Sequence, residues 1–211
     1  MIDKIKEKIN NLVAGDAEEE QLVIIDPSVL QGAREPELRV IGLFSDVAED
    51  KIAELVHALL YLDQTNHGKE PEKREPIEFY ISTYGGSADD MFAMYDVMRQ
   101  IEETTEIHTI GMGKVMSAGV LLLAAGTKGK RKIGKYCRVM IHSAIAGSHG
   151  SLPSLMNEME ALQDLQESYI DALVEETLMT KEDIKKMLER KVNVYLSAEE
   201  AVELGIADII I

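Results

Sequence analysis

The sequence predicts an α/β fold with mainly parallel strands. Strand-like apolar runs alternate with helical patterns along most of the chain, and three predicted strand ends carry residues suited to chemistry, which is where such folds gather it. The chain's 211 residues suffice for one compact domain with a substantial core and are short for two.

Taken in order, MIDKIKEKINNL (1–12) spaces Ile2, Ile5, Ile9 and Leu12 as a short amphipathic helix. An acidic turn, GDAEEEQ (15–21), follows, and residues 1–35 are expected to form an arm ahead of a domain spanning 36–211. RVIGLF (39–44) reads as a buried strand, and SDVAEDKIAELVHALLYLDQ (45–64) as a helix with Ser45 or Asp46 as its N-cap. TNHGKEPEKREP (65–76) reads as a solvated loop and IEFYIS (77–82) as a second strand. After Gly85-Gly86 a helix runs from Ser87 to about Ile101, its Met91, Met94 and Met98 stripe assigned to the core. IHTIGM (107–112) is a third strand, Ser117–Ala125 a short apolar helix, and CRVMIH (137–142) a strand ending at His142. From about Pro153 to Leu178 one long helix aligns Leu155, Met159, Leu162, Leu165, Tyr169 and Leu173. LSAEEAVELG (196–205) reads as a capped helix with Gly205 at C′.

Charge and composition narrow the function. Thirty-eight acidic against 22 basic residues give a formal charge of −16, which would repel a phosphate backbone, so nucleic acid is not an expected partner. No run of 18 uncharged apolar residues is present, so neither is a membrane. Cys137 is the only cysteine, and no intrachain disulfide can form, which suits a cytoplasmic protein.

Three features at strand ends invite a chemical reading. Ser117 lies in GKVMSAG (113–119), after a strand and at the start of a helix, where unpartnered N–H groups can stabilise an oxyanion. A simple helix-capping role would explain the same serine. Among five histidines, only His142 ends an apolar strand and opens a small-residue loop; His57 and His67 lie on a helix and in a charged loop, His108 early in a strand and His149 beside glycines. Gly85-Gly86 permits either a tight turn or a close backbone approach to a ligand.

The order Gly-Gly, then G-x-x-x-S-x-G, then an apolar strand ending in His resembles the Clp proteolytic-subunit (ClpP) peptidases. LLLAAGTKGKR (121–131), RVMIH (138–142) and YLSAEEAVELGIAD (195–208) resemble family segments in wording as well as order, over roughly four-fifths of the chain. The resemblance implies a ClpP/crotonase-like fold of repeated ββα units with a long handle helix, here about 153–178. It implies Ser117 as nucleophile, His142 as general base, and the backbone N–H groups of Gly86 and Ala118 as the oxyanion hole. Ser143 to Gly150 fall where the family binds an extended peptide as an added strand. The implied assembly is two stacked heptameric rings, a tetradecamer, of this chain alone or mixed with a paralogue. Its substrates are unfolded polypeptides delivered by an AAA+ Clp unfoldase. That partner consumes the ATP; this chain has no G-x-x-x-x-G-K-[ST] loop and no cofactor is expected.

One position departs from the family pattern. Counting back from Leu196, the third catalytic residue falls on Asn193 where the family has Asp; shifting the alignment brings Lys191 or Glu189 there instead. Asn can orient a histidine, but it cannot neutralise an imidazolium, and an Asp-to-Asn change in another serine protease lowered turnover about 10⁴-fold. Glu189, Asp164 and Asp171 are the carboxylates considered as substitutes. Three readings follow: an active serine endopeptidase, a weakly active or inactive ring subunit supporting active neighbours, and a crotonase-like acyl-CoA enzyme. The last accounts for Gly85-Gly86 but not for Ser117 with His142.

Overall fold

The computed structural model describes residues 38–189 and 193–211, so the helix expected at 1–12 and the rest of the 1–35 arm lie outside the described residues. The elements run β1 (Val40–Leu43), α1 (Glu49–Gln64), β2 (Ile77–Thr83), α2 (Ala88–Ile101), β3 (Ile107–Met116), α3 (Ala118–Ala124), β4 (Lys132–Ile133), β5 (Arg138–Ile141), α4 (Leu152–Glu176), α5 (Lys181–Glu189), β6 (Val194–Leu196), α6 (Ala198–Glu203) and β7 (Ile209–Ile210). The predicted α/β architecture is what forms: β1-β2-β3-β4-β7 make a wholly parallel path through one sheet. Among the described residues no helix is long and apolar enough to cross a membrane.

β3 is the pivot. Its first half pairs with β4 and its last three residues, Lys114 to Met116, pair in parallel with β5. The predicted strand stopped at Met112; the ladder to β5 carries it four residues further, to the edge of Ser117. β2, β3 and β5 therefore end side by side, with Thr83 opposite Val115 and Met116 opposite Met140. β6 closes on β5 in the antiparallel sense, Ile141 facing Val194.

The core is aliphatic, as the scarcity of aromatics requires. Phe79, Ile77 and Ile81 from β2 pack with the Met91, Met94 and Met98 stripe of α2 and with α3, every residue of which is buried. Two local expectations are corrected. Neither Ser45 nor Asp46 caps α1; the N-cap is Ala48, without a side-chain bond, because residue 47 is used otherwise. Val47 forms an isolated parallel bridge with Gly86, donating its N–H to Gly85 O (2.8 Å) and accepting from Ser87 N–H (2.8 Å). The 65–76 segment is charged outside but not merely solvated. Its Asn66 is fully buried, donating to Glu75 O (2.8 Å) and Thr105 Oγ1 (3.0 Å) and accepting from Glu75 N–H (3.1 Å).

The carboxyl end of α4 is held by cations, as the helix dipole favours. Arg131 Nη1 and Lys128 Nζ donate to Glu176 O at 2.7 and 2.6 Å, and the buried Glu176 carboxylate accepts from Tyr95 Oη (3.0 Å) and lies 3.3 Å from Arg99. Arg131 also forks onto Asp208, Nε to Oδ2 at 2.9 Å and Nη2 to Oδ1 at 2.6 Å. Burial alone would raise the Asp208 carboxyl, but hydrogen bonds from the Arg131 side chain and backbone, the guanidinium charge and the Gly129 N–H outweigh it and hold the carboxyl below its ordinary value. A lowered folded-state pKa stabilises the protein above the unfolded value of about 3.9 and the contribution disappears as pH falls through the folded value. Asp208→Asn is therefore expected to destabilise by about 1–3 kcal/mol at pH 7, with the difference from wild type shrinking in strong acid; urea unfolding at both pH values measures it.

Candidate active site

Three adjacent parallel strands deliver the site, each at its carboxyl end, as the fold rule for parallel sheets requires. β2 leads to Gly85-Gly86, β3 to Ser117 and β5 to His142. His142 Nε2 and Ser117 Oγ lie 2.9 Å apart, hydrogen-bond distance for a hydroxyl donating to the imidazole. Ser117 stands at the N-cap of α3, yet its hydroxyl makes no capping bond. The capping explanation for this serine is thereby removed.

The backbone at Ser117 is unusual. With φ 54° and ψ −124°, it is the one non-glycine residue with positive φ among those described. Strained residues of this kind persist only where the surroundings over-determine them, and they cluster at functional sites. Ser117 N–H donates to Met140 O at 2.8 Å; its carbonyl accepts from Val120 N–H at 2.9 Å and from the Tyr169 hydroxyl at 3.1 Å.

Gly85 and Gly86 are required here for different reasons. A Cβ on Gly85 would stand 2.6 Å from Ser117 Cβ, so only glycine admits Ser117 this close to the end of β2. A Cβ on Gly86, whose φ is 150°, would stand 2.1 Å from Val47 O. The Val47 bridge uses Gly85 O and Ser87 N–H and leaves the Gly86 N–H out of it, and Gly86 lines the cleft. Ala118, the first residue of α3, has an N–H that no preceding helical turn satisfies. Gly86 and Ala118, the two expected backbone donors, both line the cleft with Ser117. Because a Cβ at Gly86 would meet the Val47 backbone at 2.1 Å, Gly86→Ala is expected to disturb the Val47 bridge and lower the melting temperature; an unchanged melting temperature would contradict this close approach.

Ser117 and His142 open into a cleft of about 470 Å³, lined also by Tyr84, Leu162, Leu165 and Tyr169. The chain after His142 forms no strand or helix up to Gly150, and Ala144 N–H donates to Gln166 Oε1 of α4 at 3.1 Å. Cys137, the other nucleophilic side chain nearby in sequence, is buried, and desolvation pushes its thiol up to about 11, which leaves it inert at neutral pH. Among the described residues no group of three or more His, Cys, Asp or Glu side chains is placed to hold a metal.

Asn193 is adjacent but not engaged. One step beyond the Ile141–Val194 pair, the β5–β6 register brings Asn193 opposite His142. Its amide nevertheless donates to Tyr195 Oη at 3.4 Å, and no hydrogen bond joins it to the imidazole. The substitute carboxylates do not reach His142 either: Asp171 pairs with Lys181 at 2.5 Å, and neither Asp164 nor Glu189 bonds the ring. Lys191 lies outside the described residues. Sequence reasoning assigned Tyr169 and Gln166 only to the helix or its apolar stripe; a polar-tipped residue at each, on the turns facing the site, was the available signal.

Comparison with known proteins identifies a family. The Clp protease family matches residues 34–211. The chain is 35% identical over 173 residues to the ATP-dependent Clp protease proteolytic subunit 1 of Prochlorococcus marinus subsp. pastoris, covering 82% of this chain and 83% of that one. It is 34% identical over 173 residues to the ATP-dependent Clp protease proteolytic subunit of Deinococcus radiodurans, covering 82% and 80%. A third relative, proteolytic subunit 2 of Parasynechococcus marenigrum, is 32% identical over 173 residues, covering 82% and 83%.

Proposed function

Because this chain belongs to the Clp protease family, we propose that it is a serine endopeptidase subunit of a self-compartmentalised Clp protease that hydrolyses unfolded polypeptides. The observation that carries the proposal is the 2.9 Å contact between Ser117 Oγ and His142 Nε2 at the mouth of a peptide-sized cleft. In the first half-reaction His142 Nε2 takes the hydroxyl proton as Ser117 Oγ attacks the scissile carbonyl carbon. The tetrahedral oxyanion is held by the N–H groups of Gly86 and Ala118. His142 then gives its proton to the leaving amine, and a water deprotonated by His142 hydrolyses the acyl-serine. Asn193 takes the orienting position beside the base without supplying a charge. The unpaired backbone after His142 suits an extended peptide that adds as a strand.

Assembly follows from the handle. α4 carries Leu152, Met156 and Met159 at 71%, 64% and 63% exposure, an apolar stripe that a second ring would bury. The proposed state is a pair of stacked heptameric rings, of this chain or of this chain with a paralogue, in the cytoplasm. An AAA+ Clp unfoldase feeds it and spends the ATP; no cofactor is proposed for this subunit.

A second reading, a poorly catalytic ring subunit that supports active neighbours, is favoured by one observation: the Asn193 amide bonds Tyr195, and among the described residues no carboxylate bonds His142. Hydrolysis of a small fluorogenic peptide and of an unfolded protein by the assembled chain, with Ser117→Ala as control, separates the two. Turnover above the control is expected; equality with the control, with and without an unfoldase and a paralogue, would leave the structural reading.

A further inference from the structure

The geometry points to Tyr169 as a positioning residue that aims one arm of the oxyanion hole, an assignment that rests on reading Ser117 as the nucleophile. Tyr169 projects from α4, and its hydroxyl donates to Ser117 O at 3.1 Å across 52 residues of sequence. That carbonyl belongs to the same planar peptide unit as the Ala118 N–H. Fixing the oxygen therefore fixes the direction in which the N–H points, and a bond accepted at the oxygen polarises the amide and strengthens its donor.

The need for such a restraint is visible in the backbone. At φ 54° and ψ −124°, Ser117 occupies a conformation that an L-residue holds only under constraint. Its N–H is tied to β5 through Met140 O, and the local turn contributes Val120 N–H to the carbonyl. Tyr169 is the side chain that reaches this peptide unit from outside the β3–α3 and β5 frame. The rest of its helix face, Leu162, Leu165 and Leu173, is aliphatic, so the phenol hydroxyl is not needed to fill the space. Desolvation raises the phenol above its ordinary pKa, and it stays a donor throughout the neutral range.

The Tyr169 hydroxyl bonds Ser117 O and its ring lines the cleft, so removing the hydroxyl while keeping the ring should act on the transition state and spare substrate binding. Tyr169→Phe keeps the ring and removes only the hydroxyl. In the assembled full-length protein it is expected to lower kcat about tenfold with KM changed less than twofold, a smaller loss than deleting an oxyanion donor outright. Labelling of Ser117 by a fluorophosphonate, which also builds negative charge on an oxygen in that hole, should slow by a similar factor per assembled subunit. Tyr169→Met, a second hydroxyl-free side chain that packs adaptably, should slow labelling equally even if it melts lower. A merely structural tyrosine would change melting temperature or assembly mass and leave the labelling rate of the assembled fraction at the wild-type value; that result, in either variant, overturns the assignment. Failure of the wild-type protein itself to label would instead overturn Ser117 as nucleophile, and the assignment with it.

Discussion

Asn193→Asp is expected to raise kcat for peptide hydrolysis by about 10²- to 10⁴-fold, the largest gain any single substitution in this chain should give. In the proposed mechanism His142 gains a positive charge when it takes the Ser117 proton, and among the described residues no carboxylate bonded to it offsets that charge. The β5–β6 ladder pairs Ile141 with Val194, the neighbours of His142 and Asn193, so a carboxylate at 193 starts from a backbone position beside the base. An Asp there would also fix the tautomer in which Nε2 is free to accept the serine proton. The gain should appear in kcat, with KM nearly unchanged, because the charge it neutralises exists only after the ground state. No gain would show that another group already orients His142.

Ser117→Ala and His142→Ala provide the second large effect, and its size depends on residue 193. Where a complete triad operates, losing the serine or histidine costs about 10⁶-fold, and an Asp-to-Asn change alone about 10⁴-fold. In the native chain, already lacking the Asp, either alanine should therefore cost only about 10²-fold, and the double variant no more than either single one. In the Asn193→Asp background the same alanines should cost about 10⁶-fold. Additive losses for Ser117 and His142 would mean that they do not act as a unit. Steady-state kinetics on one peptide across these seven proteins decides the matter.

The strand ends were the most legible part of this molecule. Ser117 and His142 stand out in sequence because β3 and β5 each end on apolar residues, Val115-Met116 and Val139 to Ile141, and the residues that follow are small. α6 was equally plain: Ser197 and Glu200 form a reciprocal capping box that any reading of S-x-x-E anticipates. What the sequence hid were interactions set by distant partners. Ser45 and Asp46 look like ideal caps, yet Val47 is drawn into a bridge with Gly86, and α1 starts later. Asn66 looks solvated among charges, but Thr105 and Glu75 bury it. β4 and β7 are two residues each, too short to show any period, and exist because they pair with each other and with β3. α5 reads as a charged stretch because only Ile184 and Leu188 are buried in it, with Met187 partly so. Tyr169 sat in an aliphatic stripe, and only the folded chain brings its hydroxyl to Ser117 O.

The central claim is that Ser117 is an activated nucleophile with His142 as its base, and covalent capture tests it most directly. A fluorophosphonate probe loses fluoride when a serine oxygen attacks its phosphorus, and the serine proton passes to the base. Intact mass and peptide mapping of the assembled protein should find one adduct per subunit on Ser117, absent from Ser117→Ala and strongly slowed in His142→Ala. An unmodified Ser117 in wild type and Asn193→Asp alike, or labelling that His142→Ala does not slow, would contradict the account.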